Sequence, residues 1–76
     1  MKTTLDKLNI NDKARIIRIN NSSDIKRRLL DIGLIEGSII SIYLKSPFND
    51  PIAYNIKNAI IAIRNNDSKD IEVEVL

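Results

Sequence analysis

Apolar residues recur at every second position in four separate stretches of this chain: Ala14 and Ile16, then Ile40, Ile42 and Leu44, then Ile52, Tyr54 and Ile56, then Ile71, Val73 and Val75. That period belongs to half-buried strands, whose successive side chains point to opposite faces. One segment breaks it. Ile25, Leu29 and Ile32 fall at i, i+4 and i+7, the stripe of an amphipathic helix, with Lys26, Arg27 and Asp31 on the wet side. Short strands with a single short helix make a mainly β chain, and 76 residues hold it to one small domain, residues 1–76.

The connections follow from the turn chemistry. Leu5 to Ile10 has the spacing of a short helical turn that lids a core. Lys13 to Ile19 reads as the first strand. Ala14 and Ile16 lie on one phase, Ile17 and Ile19 on the other, so a bulge or bend is expected between them. Ser22 or Ser23 is a suitable N-cap for the helix from Asp24 to Ile32, and Gly33 follows it where a left-handed C-cap would sit, with Leu34 able to supply the accompanying contact. Glu36-Gly37 is a turn. Ser38–Lys45 is the second strand, with Ile40, Ile42 and Leu44 inward. Pro47 to Pro51 is a proline-bracketed loop, and Ile52–Ile56 the third strand. Lys57-Asn58 is a tight turn, because Asn tolerates positive φ. Ala59–Arg64 is apolar on both phases and reads as a central strand covered on both sides; Asn65 to Asp70 is a polar turn with one helical loop, and Ile71 opens the last strand. Five strands with one helix between the first and second suggest a small SH3-like barrel, which closes its own edges. An open α+β sheet is the competing topology.

Composition then narrows the chemistry. There is no Cys and no His. That excludes disulfides, thiolate nucleophiles and iron–sulfur clusters, and it removes the commonest metal ligand and general base. No cofactor and no tight transition-metal site is expected, and an enzyme is disfavoured. Twelve basic and ten acidic residues give a net charge of +2, with the signs interspersed apart from Lys26-Arg27-Arg28. A nucleic-acid module would carry a longer basic stripe and stacking aromatics. The longest apolar run, Ala59–Ile63, is too short to cross a bilayer, and the N-terminus lacks the apolar core of a signal peptide, so a cytoplasmic location is expected.

Three ordered pieces of the sequence resemble one family. Arg28-Leu29-Leu30-Asp31-Ile32-Gly33-Leu34-Ile35-Glu36-Gly37 is similar to the RL-x-x-LG-x-x-x-G signature of the FeoA family; Ser46-Pro47-Phe48-Asn49-Asp50-Pro51-Ile52 resembles its SP-x-GDP-I loop; Ala59–Arg64 resembles its IALR strand. Asn11, Asn49 and Asn58 stand where that family usually has Gly, which bears on turn stability rather than on the fold. The resemblance implies an SH3-like domain that is neither transporter nor enzyme and that acts with a FeoB-type ferrous iron permease. It leaves open a free-standing metal-responsive domain like the one attached to iron- and manganese-dependent repressors. A small RNA-binding barrel is a third possibility.

Candidate binding residues are accordingly surface ones. Arg28 is either a helix-surface arginine favoured by the dipole or a contact to a partner's carboxylate; one arginine of five is weak support for an arginine finger. Gly33, Gly37 and Asn58 are read as structural turns. If Ile40, Ile42, Leu44, Ile61 and Ile63 fill the barrel, then Ile39, Tyr43 and Ile60 point outward, in part covered by the helix and the N-terminal turn. Any left bare would form a protein-binding patch. The expected partner surface is Arg28, Leu34, Ile39, Tyr43 and Lys45 beside the loop residues Pro47, Phe48 and Pro51; the expected partner is the permease's cytosolic region, with weak self-association also possible. Asp67, Asp70, Glu72 and Glu74 alternate with apolar residues or sit in a turn, as on a solvated face, and show no converging geometry for iron.

Overall fold

The computed structural model describes residues 1–20, 23–31, 33 and 35–76, the first three residues of the helix by backbone only. The elements are β1 (Lys2–Thr4), a 3₁₀ turn (Leu5–Lys7), β2 (Lys13–Ile19), α1 (Ser23–Asp31), β3 (Ile39–Lys45), β4 (Ile52–Ile56), β5 (Ala59–Ile63), α2 (Asn65–Ser68) and β6 (Ile71–Val75). The strands form one antiparallel sheet in the order β1-β6-β2-β3-β4-β5. This corrects the five-strand closed barrel. The extra strand is β1, whose Lys2, Thr3 and Thr4 pair with Glu74, Val73 and Glu72. Backbone pairing alone recruits it, since Lys-Thr-Thr has no apolar alternation. No ladder joins β1 to β5 among the described residues, so the sheet curls without closing.

Burial follows the alternation where the ladders run straight and departs from it at two register shifts. Ala14, Ile16 and Ile19 are all buried because the β2–β6 register shifts between Ile16 and Arg18, which supplies the expected bend. A second shift, in β3–β4 between Ile42 and Leu44, turns Leu44 out, 61% exposed, against its expected inward position. The core gathers Leu5, Leu8, Ala14, Ile16, Ile19, Leu29, Ile40, Ile42, Ile52, Tyr54, Ile56, Ile63, Ile71 and Val73, with Ile61 and Val75 packed against it at half burial. Each aliphatic fully withdrawn from water contributes about 1.5–3 kcal/mol. Leu5 and Leu8 do lid the core, but Ile10 is exposed. Ala59–Ile63 is not central: β5 pairs only with β4 among the described residues and is the outer strand of the sheet. Ile39, Tyr43 and Ile60 point outward as expected, at 40%, 61% and 50% exposure.

The turns hold where φ is positive. Gly33 (φ 88°) and Gly37 (φ 91°) are left-handed, as are Lys57 (φ 50°) and Asn58 (φ 67°) of the two-residue hairpin and Asn49 (φ 59°). Asn11, by contrast, stays outside that region, so a glycine is not required there. Of the two expected N-caps, Ser23 is instead the first residue of α1, while Ser22, the stripe residue Ile32, the contact from Leu34 and the side chain of Ile25 lie outside the described residues.

Candidate interaction surface

The end of α1 is anchored by a compact set of hydrogen bonds. Gly33 N–H donates to the Leu30 carbonyl at 3.0 Å, and the Lys57 ammonium donates to the Gly33 carbonyl at 3.2 Å. A cation at that position also complements the negative end of the helix dipole. The following turn is tied to the sheet. Ser38 N–H donates to the Ile35 carbonyl at 3.0 Å, Ile35 N–H to the Ser38 hydroxyl at 3.2 Å, and Gly37 N–H to the Ile16 carbonyl at 2.7 Å. Ile35 is thereby fixed beside the end of β2.

These restraints create a groove of about 350 Å³ between α1, the end of β2 and the turn, lined by Ile19, Lys26, Leu30, Ile35 and Glu36. Its floor is apolar. Leu29 is buried in the core, while Leu30, one residue and ~100° further around the helix, is 47% exposed, and Ile35 is 48% exposed. Lys26 and Glu36 stand at the margin with opposite charges, giving an apolar centre with a polar rim. Sequence reasoning missed this groove. Its signal was present: Leu30 lies off the Ile25, Leu29, Ile32 stripe, and Ile35 stands just ahead of a Glu-Gly turn.

The residues expected to bind a partner do not gather in one depression. Arg28 is exposed on α1 but does not line the groove, and Leu34 lies outside the described residues. Ile39 borders a separate shallow hollow of about 240 Å³ with Lys13, Ser41, Asn55, Lys57 and Asn58. Tyr43 and Lys45 are exposed on β3. Pro47, Phe48 and Pro51 are exposed on the loop, with Phe48 90% exposed. That loop is well braced. Asp50 N–H donates to the Ser46 hydroxyl at 2.8 Å, Asn65 N–H to the Asp50 carboxylate at 3.1 Å, and the Asn65 amide to the Asn49 carbonyl at 2.7 Å; the Asp50–Pro51 peptide is cis. The loop thus holds Phe48 braced and unburied. No group of three or more Asp and Glu residues is placed to hold a metal among the described residues.

Comparison with known proteins agrees with this architecture. A Porphyromonas gingivalis protein, a fusion of Fe(2+) transport protein A with the Fe(2+) transporter FeoB, is 31% identical over 72 residues; the match covers 95% of this chain and 8% of the fusion. The FeoA-like protein of Clostridium acetobutylicum superposes with a TM-score of 0.87 at 35% identity, covering 99% of this chain and 87% of that one. The Stenotrophomonas maltophilia FeoA, described as an SH3 domain protein and solved with zinc, superposes with a TM-score of 0.81 at 24% identity over 95% of this chain and 89% of that one, a likeness of fold. The FeoA domain model itself matches residues 3–75, and the chain belongs to the FeoA domain family.

Proposed function

We propose that this protein is a cytoplasmic accessory module of ferrous iron uptake that binds the cytosolic region of a FeoB-type permease and supports its transport. The observation that carries the reading is the Porphyromonas gingivalis fusion, in which a sequence similar to this whole domain is joined to the permease in one chain. Fusion of two domains gives each a high effective concentration of the other, which is useful when their separate affinity is modest. The chain offers binding surfaces rather than catalytic groups: it has no Cys or His, and exposed apolar groups include Leu30 and Ile35 in the α1 groove and Tyr43, Leu44 and Phe48 on the β3–loop side.

The groove is the docking centre in this reading. Ile19, Leu30 and Ile35 receive apolar side chains of the permease, and Lys26 and Glu36 set orientation at the rim, with Arg28 on the same helix reaching an acidic group of the partner. Ile39, Tyr43, Lys45, Pro47, Phe48 and Pro51 form a secondary contact. Such a small interface leaves little surplus after the entropy of association, so binding is transient.

Radiolabelled Fe²⁺ uptake in a strain deleted for this gene tests the reading. Uptake through the permease falls in the deletion strain and returns with the unmodified gene. Leu30→Glu fails to restore it while keeping the circular dichroism of the folded domain, because Leu30 is half exposed and its loss leaves the core intact. Binding to the purified cytosolic region weakens at least about tenfold for that variant, as for loss of an interface anchor. Normal uptake in the deletion strain, with the permease expressed, overturns the assignment.

A further inference from the structure

The sheet has two edges, and they differ. β1 is three residues long and begins with a lysine, two common ways of discouraging a foreign strand from adding to an edge. β5, Ala59-Ile60-Ile61-Ala62-Ile63, has none of the usual protections among the described residues. It carries no charge and no proline. Its ladder with β4 runs from Ile56↔Ala59 to Ile52↔Ile63 without a register shift, whereas β2–β6 and β3–β4 both contain one. Ile60 is 50% exposed, and Ile61 is only half buried although it packs against the core.

We propose that β5 is a self-association surface, where two copies of this chain pair their β5 strands antiparallel about a two-fold axis at Ile61. The register follows from the hairpin. A two-residue turn with both φ values positive closes on a hydrogen-bonded pair, here Ile56 and Ala59. Alternate residues Ala59, Ile61 and Ile63 therefore direct their backbone groups toward β4, and Ile60 and Ala62 direct theirs to the open edge. A two-fold axis at Ile61 sets Ile60 of one copy opposite Ala62 of the other, twice over. Both are outward-directed residues, so each pair exchanges two hydrogen bonds, and the Ile61 residues meet as a closely spaced non-hydrogen-bonded pair.

The side chains fit the same register. Isoleucine faces alanine at 60 and 62, and alanine faces isoleucine at 59 and 63, so bulk meets space on both faces of the ribbon. Ile61 is covered by its own symmetry mate. Beyond the strand, Asn58 faces Arg64 and Lys57 faces Asn65, so no like charges are opposed. This self-complementarity favours a second copy over an unrelated strand, and a closed two-fold contact halts growth at the dimer. The inference is independent of the permease reading, since it uses neither α1 nor its groove.

Sedimentation equilibrium from micromolar to millimolar protein, together with amide hydrogen exchange by NMR, tests it. A reversible dimer forms with a dissociation constant between about 10 µM and 1 mM, as suits a small interface. The amides of Ile60 and Ala62 become protected as concentration rises, while those of Ile61 and Ile63 are protected throughout. Ala62→Pro removes an outward N–H without touching the β4 ladder, and it weakens association at least about tenfold. Ala62→Lys, at an exposed side chain, keeps the fold and weakens association in the same sense. A monomer at millimolar concentration overturns the proposal. So does a dimer that tolerates both variants, or protection of Ile60 and Ala62 that appears only when a permease fragment is added.

Discussion

The two flanks of β3 are built from similar residues and behave differently. On one side, β2 with β6 buries Ala14, Ile16, Ile19, Ile71 and Val73. On the other, the β4–β5 hairpin buries the inner face of β4 but leaves Ala59, Ile60 and Ala62 exposed and Ile61 half buried. Ile16 and Ile60 are the same amino acid in the same kind of strand. Ile16 belongs to the core cluster on a strand that lies between β6 and β3; Ile60 lies on the outward face of the outermost strand. What separates them is the face of the sheet each side chain takes: Ile63, three residues along the same outermost strand, is fully buried on the inner face, whereas Ile60 points outward. Hydrophobicity states what a residue would gain from burial, and the face its place in the ladder gives it decides whether it receives it.

The largest expected effect breaks that comparison into two numbers. Ile16→Ala removes a fully buried side chain next to the Ile16/Arg18 register shift and should cost about 2–5 kcal/mol. Ile60→Ala should change stability by about 0.5 kcal/mol or less, since the side chain makes little use of the core. Urea denaturation of both variants, at a dilution that keeps the chain monomeric, measures the pair. Equal losses would mean that β5 is covered in solution and that the two flanks are equivalent.

The same contrast marks what was legible in the sequence. The phase switch from Ala14 and Ile16 to Ile19 announced the bulge in β2, because a bulge is the cheapest way to bury both sets. The bulge in β3 left no such trace: Ile40, Ile42 and Leu44 alternate without a break, and only the register with β4 reveals that Leu44 faces out. Ala59–Ile63 looked central because both phases are apolar. An edge strand kept apolar for a reason outside the monomer gives the same pattern as a strand covered on both faces. β1 was invisible because Lys-Thr-Thr is recruited by its backbone alone. The groove depends on Leu30 and Ile35 meeting at the end of β2, a tertiary fact carried by hydrogen bonds around Gly33, Ser38 and Ile16. Each turn in that set was readable singly, from Gly33 and Gly37, but their convergence was not.

Gly33 joins the two regions, since its carbonyl accepts from Lys57 of the hairpin while its N–H closes α1. A β-carbon added there meets nothing within 4 Å, so the cost of a substitution comes from its φ of 88° and not from crowding. Gly33→Val should destabilise by about 1–2 kcal/mol, the penalty for holding a branched residue in the left-handed region. Gly33→Asn should cost less than Gly33→Val, because Asn tolerates that region better. Chemical denaturation of the two variants checks the order. Equal midpoints for Val and wild type would mean that α1 ends in another conformation and that the groove's far wall is set differently.

The smallest expected effect concerns the one place where the hairpin side reaches deepest into the core. Tyr54 of β4 is fully buried, and its hydroxyl is enclosed without a hydrogen-bond partner, the neighbouring Ser68 hydroxyl donating instead to the Asn65 carbonyl at 3.3 Å. Burial raises the phenol above its ordinary 10.0; the nearby Ser68 hydroxyl pulls it back in part, and the Asp6 carboxylate adds a further upward push. The direction fixes the sign of the pH dependence. Below 10.0 the phenol is neutral in both states and costs nothing extra; above it the unfolded chain releases the proton while the folded chain retains it, so stability is lost as pH rises. Tyr54→Phe keeps the ring and deletes a hydroxyl with no partner, so at neutral pH it should change stability by about 1 kcal/mol or less, in either direction. Above pH 10.0 it should lose less stability than the wild type, because the titrating group has gone. Denaturation midpoints of the two proteins across neutral and alkaline pH decide the point. A loss above about 2 kcal/mol at neutral pH would show that Tyr54 and Ser68 form a true hydrogen bond in solution, and that α2 is tied to the hairpin by more than packing.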